Sequence, residues 1–136
     1  MKKYHIGYTQ GVFDMFHIGH LNLLRHAKEQ CEYLVVGINS DKLVEEYKKK
    51  STIIKEGERA EIVASVRYVD YCLITDTLDK MEQWKKHKFN AVFIGSDWKG
   101  NERWINTEKI LGEINVDVVY LDYTRGISST DLRGMI

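Results

Sequence analysis

Short continuous apolar runs alternate along this chain with stretches whose apolar residues recur every third or fourth position. The first pattern marks strands covered on both faces and the second marks amphipathic helices. Lys3–Gln10 reads as a strand leading to a turn at Gly11, followed by a helix over Leu21–Gln30 with Leu21, Leu23, Leu24 and Ala27 as its apolar positions. Tyr33–Ile38 is the second strand. A short helix, Lys42–Tyr47, follows it, with Ser40 or Asp41 as N-cap. Glu56–Val66 reads as a helix with Ile62, Val63 and Val66 on one face, and Tyr71–Ile74 as the third strand. Leu78–Lys86 is a polar helix anchored by Met81 and Trp84, and Ala91–Ile94 is the fourth strand. Trp98–Glu113 holds a loop and a helix, Val116–Leu121 is the fifth strand, and a short final helix starts at Asp131.

Strands and helices alternate throughout, which predicts a parallel sheet with helices on both faces. Right-handed crossovers then place ligands outside the carboxyl ends of the strands. The segments richest in chemistry all fall there: Gln10–His20, Asn39–Thr52, Gly95–Gly100 and Thr124–Thr130.

A chain of 136 residues is one domain of common size. Lys plus Arg and Asp plus Glu both number 20, so net charge is zero, which argues against binding nucleic acid or a membrane surface by bulk charge. Without a long apolar run or a signal-peptide pattern, a cytoplasmic protein is expected. The two cysteines, Cys31 and Cys72, fit no metal spacing and read as reduced thiols.

Four constellations carry candidate chemistry. In the first, His17 and His20 stand three apart at a helix start, where free N–H groups and the dipole favour an anion. Asp14 beside them either caps the helix or orients a histidine or a metal-bound water. The second is Lys48-Lys49-Lys50 with Arg59 and Arg67: a lysine loop after a strand end can close on a triphosphate, with Lys48 and Lys50 on one side if the loop is extended. The two arginines, eight apart, share a helix face and reach phosphate or pair with Asp70 or Glu58. The third is Gly126-Ile127-Ser128-Ser129-Thr130, where hydroxyls and N–H groups at a helix start suit phosphate. In the fourth, Gly95-Ser96-Asp97-Trp98, Asp97 is placed to bind a sugar hydroxyl or a base, while Trp98, like Trp104, reads as packing.

His17-Ile18-Gly19-His20 and Ile127-Ser128-Ser129-Thr130 resemble the paired motifs of the His-x-Gly-His nucleotidyltransferase superfamily. Arg67-Tyr68-Val69-Asp70, Gly95-Ser96-Asp97-Trp98 and Val118-Val119-Tyr120-Leu121 extend the likeness over nearly the whole chain, towards the small cytidylyltransferases and, among these, the glycerol-3-phosphate cytidylyltransferase family. The resemblance implies a single-domain, three-layer Rossmann-like fold with a five-stranded parallel sheet of order 3-2-1-4-5. It implies transfer of CMP from CTP, accompanied by Mg²⁺, to a small phosphoalcohol, with release of pyrophosphate and no covalent intermediate. His17 and His20 would stabilise the transition state. Lys48 and Lys50 match a lysine pair on the triphosphate and acceptor phosphate, and Arg59 and Arg67 match two arginines that serve the substrate. Gly11, Val12, Phe13, Asp14, Asp97, Thr124, Gly126, Ile127, Ser128 and Ser129 fall where the family binds nucleotide. A homodimer with Arg67 near its contact is also implied.

The chain departs from the glycerol-phosphate pattern at Val12, where threonine is usual, at Ser96, where aspartate is usual, and at Tyr123-Thr124-Arg125-Gly126, where Arg125 stands out of place. These changes bear on the acceptor and leave the transfer chemistry intact. CDP-glycerol formation is the expectation. Phosphocholine, phosphoethanolamine and polyol phosphates remain as other acceptors, and an ATP-using adenylyltransferase as another reaction.

Overall fold

The computed structural model describes residues 2–122. Its elements are β1 (Tyr4–Gly11), α1 (Ile18–Gln30), β2 (Cys31–Asn39), α2 (Asp41–Lys48), α3 (Glu56–Ala64), β3 (Tyr71–Thr75), α4 (Lys80–His87), β4 (Ala91–Gly95), a 3₁₀ turn (Ser96–Trp98), α5 (Glu102–Gly112) and β5 (Asp117–Leu121). The five strands form one parallel sheet in the order β3-β2-β1-β4-β5, as expected. Strand order reverses at β1, whose Tyr8 pairs with Val35 on one side and Val92 on the other. The carboxyl ends of β1 and β4 therefore open the crevice where such folds bind ligands.

The apolar run of β2 is continuous because both faces are covered. Leu34, Val36 and Ile38 enter one core with Phe13, Leu24, Ala27, Val63 and Phe93, beneath α1 and α3. Val35 points to the other face, with Tyr8, Phe89, Val92, Trp104 and Leu111 beneath α4 and α5. The period-two alternation of a strand separates the two sets.

Three expected elements differ from the structure. Lys48 is the last residue of α2, not part of an extended loop, and Lys49 ends the helix in the left-handed region at φ 58°. The α3 helix stops at Ala64, so Arg59 and Arg67 do not share a helix face. In α4 the buried positions are Lys80 and Gln83, while Met81 and Trp84 are only partly covered. Gln83 is drawn inward by a hydrogen bond from its Nε2 to the Thr75 hydroxyl, a polar demand that hydrophobic periodicity does not register. The final helix expected from Asp131 lies outside the described residues.

Candidate active site

The first turn of α1 is built from its two histidines. His17 is the N-cap, and its Nδ1 accepts from the Gly19 N–H at 3.0 Å. His20 answers three residues on, its Nδ1 accepting from the His17 N–H at 3.1 Å. This reciprocal arrangement is a capping box built with imidazoles in place of hydroxyl and carboxylate. The rings stack with centroids 3.9 Å apart, and Phe13 meets His20 edge-on at 5.3 Å.

The box has a chemical consequence. A backbone N–H can only donate, so both Nδ1 atoms are acceptors and carry no proton. Each neutral ring therefore holds its proton on Nε2. Burial pushes the His17 pKa down. Burial lowers His20 to about 4, with the nearby His17 adding to the shift and Asp14 opposing it. Near neutral pH the pair is thus two uncharged rings, each with one N–H donor. Folding also disfavours protonation of these rings, so the unfolded chain binds more protons below its ordinary histidine value. Stability should hold above about pH 6.5 and decline as pH falls towards about 4. Denaturant titrations across that range, on wild type and His20→Gln, should show a steeper acid loss in wild type.

The loop from β1 into α1 is costly by itself. Phe13 and Met15 both take left-handed backbone, at φ 53° and 49°, worth about 1–2 kcal/mol each. Long-range bonds hold it. Asp14 is buried, and its two carboxylate oxygens accept from the Ile53 and Ile54 N–H groups at 2.8 and 2.9 Å. It thus fastens the loop to the segment before α3. Asp14 does not cap α1, since His17 does.

Arg59 is the centre of this fastening, which corrects the expectation that it reaches a substrate phosphate. Its side chain is fully buried. It donates to the carbonyls of Ile54 (2.8 Å), Val12 (2.7 Å) and Asn39 (2.8 Å) and to Asp41 Oδ1 (2.6 Å). Its partners are therefore the end of β2, the start of α2 and the loops after β1 and before α3. For Asp41, burial pulls the pKa up, but hydrogen bonds from Arg59, Thr52 and the Glu56 backbone outweigh it and hold the carboxyl below its usual range. Arg67 is likewise displaced from the expected site. It is exposed just ahead of β3, at the amino edge of the sheet, and donates to the Tyr68 hydroxyl at 3.2 Å.

A cavity of about 560 Å³ lies across the carboxyl ends of the strands. Gly11, Val12, Phe13, Asp14 and His20 line one side, with Lys48 and Lys50 beside them, so the chain does bring these predicted residues together. His17 backs the wall through its stack on His20. Asp97 is exposed in the 3₁₀ turn, next to Gly95 and Trp98 of the lining. Thr124, Gly126, Ile127, Ser128 and Ser129, and Arg125 with them, lie outside the described residues.

Other residues complete the cavity without a sequence motif. Lys80 and Arg103 line its far side with Trp98 and Trp104. Lys80 is only 7 % exposed. Its one available signal is position, since it opens the helix that follows a strand's carboxyl end. Below the cavity a buried chain of polar groups runs from Tyr8 through Gln10 and Asn39 to Tyr47. The Tyr8 hydroxyl donates to Gln10 Oε1 (2.8 Å), Gln10 Nε2 to Asn39 Oδ1 (2.8 Å), and Asn39 Nδ2 to the Tyr47 hydroxyl (3.0 Å). Gly37 is required here, because a Cβ at that position would run into the Tyr8 hydroxyl.

Fold and cavity together place the chain among α/β proteins with a doubly wound parallel sheet and a site at its switch point. The model of the cytidylyltransferase-like family matches residues 8–135, and the chain belongs to that family. It is 32 % identical over 126 residues to the glycerol-3-phosphate cytidylyltransferase of Bacillus subtilis (strain 168), covering 92 % of both chains. It is 34 % identical over 133 residues to the bifunctional protein HldE of Nitrobacter hamburgensis, spanning 93 % of this chain and 26 % of that protein. Among solved structures, the lipopolysaccharide core biosynthesis protein from Thermoplasma volcanium matches with a TM-score of 0.74 at 22 % identity, covering 91 % of this chain and 99 % of that one, a likeness of fold. Among the described residues no helix is long and apolar enough to cross a membrane.

Proposed function

We propose that this protein transfers CMP from CTP to a small phosphoalcohol, glycerol 3-phosphate, giving CDP-glycerol and pyrophosphate. The observation that carries the reading is the imidazole capping box, which leaves two neutral Nε2–H donors, one on His20 in the lining of a cavity that also holds Lys48 and Lys50 and one on His17 stacked behind it. Full-length similarity to the glycerol-3-phosphate cytidylyltransferases supports the choice of substrates.

The steps follow from that arrangement. A phosphate oxygen of the acceptor attacks the α-phosphorus of CTP in line. A new P–O bond forms as the α–β bridging bond breaks, and its electron pair leaves with pyrophosphate. Neutral imidazoles fit this step because they donate hydrogen bonds to the crowded phosphorus centre and release it without holding the product as a fixed charge would. One well-placed donor of this kind is worth roughly 10²–10³ in rate. Lys48 and Lys50 offset the charge of the triphosphate and the incoming phosphate. Mg²⁺ enters with CTP as the metal–nucleotide substrate and neutralises phosphate charge. The reading includes a homodimer about the Arg67 edge, where Tyr33 and Tyr71 are 43 % and 49 % exposed.

Pyrophosphate release measured with CTP, Mg²⁺ and glycerol 3-phosphate tests the reaction. Release is expected with CTP, and CTP should raise the thermal midpoint more than ATP at equal concentration. A larger shift and turnover with ATP would replace the reading with an adenylyltransferase.

A further inference from the structure

The polar chain under the cavity has a direction, and one backbone carbonyl fixes it. The Thr77 carbonyl can only accept, so the Gln10 amide atom 2.8 Å from it is the nitrogen, Nε2. Gln10 Oε1 is thereby turned to the buried Tyr8 hydroxyl, which must donate to it. The second proton on Gln10 Nε2 goes to Asn39, whose facing atom is therefore Oδ1. Asn39 Nδ2 is left facing Tyr47. An amide nitrogen can only donate, so the Tyr47 oxygen accepts, at 3.0 Å.

One proton is left over at the end of the chain. Among the described residues the Tyr47 hydroxyl makes only the bond it accepts, so its own proton has no acceptor there. Tyr47 lines the cavity together with Gln10 and Asn39. Burial holds the hydroxyl above its usual pKa, against the Asn39 bond and the charges of Arg103 and Arg59, so near neutral pH it keeps that proton. The arrangement is held at both ends. The Asn39 carbonyl is tied to Arg59, and the Tyr8 hydroxyl occupies the space that a Cβ on residue 37 would take.

The lining says what the proton meets. Among the described residues it carries the cations Lys48, Lys50, Lys80 and Arg103 against one carboxylate, Asp14, whose two oxygens already accept from backbone N–H groups. Such a cavity takes an anion. Lysines attract an anion by charge with little demand on direction, whereas a hydroxyl whose orientation is fixed reads the position of one oxygen.

We propose that the Tyr47 hydroxyl donates a hydrogen bond to a phosphate oxygen of a reactant, with Gln10 and Asn39 as the positioning residues that aim it. This rests on the cytidylyltransferase reading, under which that oxygen belongs to the triphosphate of CTP or to the phosphate of the acceptor.

The test measures the KM for CTP and for glycerol 3-phosphate, by pyrophosphate release, in wild type, Tyr47→Phe, Asn39→Ala and the double variant. A cooperative denaturant transition shows that each is folded. Tyr47→Phe keeps the ring and removes the hydroxyl. It should raise one KM roughly tenfold or more and leave the other within about twofold, and the KM that moves names the reactant. Asn39→Ala should raise the same KM. The double variant should stay within about twofold of Tyr47→Phe, because Asn39 acts through the hydroxyl. Should Asn39→Ala not fold, Asn39→Ser replaces it, keeping an oxygen for Gln10 but no amide N–H for Tyr47. Tyr47→Phe with both KM values unchanged, or both raised equally, overturns the proposal, as do losses that multiply in the double variant. If wild type turns over neither reactant, it is the reading of the reaction that has failed, and calorimetric binding of inorganic pyrophosphate decides the proposal. Binding weakened roughly tenfold by Tyr47→Phe supports it. Binding that is absent or indifferent to Tyr47 overturns it.

Discussion

Replacing His17 by asparagine should leave the protein folded and lower turnover by roughly 10²–10³, measured as CTP-dependent pyrophosphate release. Asparagine is among the best N-cap residues, so its side-chain oxygen keeps the bond that Nδ1 accepts from the Gly19 N–H. What it removes is the Nε2–H donor and the ring that stacks on His20. Alanine at the same position is a poorer probe, because it also loses the cap, worth about 1 kcal/mol. His20→Gln is the partner experiment. Glutamine three residues past the cap completes an ordinary capping box, so the N–H of His17 stays satisfied while the second donor is lost. Full activity in both folded variants would remove the histidines from the chemistry and leave them as caps alone.

Arg59→Met should cost about 3–5 kcal/mol of stability, read as a lower denaturation midpoint. That is a large fraction of the roughly 5–15 kcal/mol that holds a typical domain together. Methionine fills much of the volume but makes none of the four bonds. Three carbonyls, those of Val12, Asn39 and Ile54, lose their guanidinium donor, and Asp41 loses its partner. Asp41→Asn should cost less, because the Asp41 side chain is 27 % exposed and water can reach it. The loss should not appear as a selective change in acceptor affinity. That separates Arg59, a positioning residue under the cavity floor, from Lys80, which faces the cavity. A variant as stable as wild type but with a raised KM would return Arg59 to the substrate.

The legible parts of the site share a property. The histidine pair sits within one helical turn, so its mutual geometry follows from spacing three. The strands were legible because a parallel strand covered on both faces must be apolar throughout. Their boundaries moved by a few residues, since β2 runs from Cys31 to Asn39 around a core of Tyr33–Ile38. Lys48 and Lys50 were legible as cations beyond a strand end, and the turn that splits them between a helix and its exit left both on the cavity.

The illegible parts depended on what distant segments bring together. Arg59 carries the same charge as Arg67, and nothing local says that one is fully buried and the other exposed. The difference is made by Val12 and Asn39, whose carbonyls lie 47 and 20 residues away in sequence and need a donor where two chain turns meet. Lys80 has an unremarkable polar helix around it, and only the packing of α4 beside α5 puts its ammonium over Trp104.

The sequence by itself determined the alternation of strands and helices, the sheet they form and the family, with the imidazole pair at the helix start, because these rest on periodicity and short-range spacing. Only the tertiary structure decided which cations face the cavity and which hold it together, and that the histidines cap one another and so keep their protons on Nε2. A charge in a sequence has no fixed partner, and its role is settled by whichever buried carbonyl, carboxylate or aromatic ring the fold brings within about 3–6 Å of it.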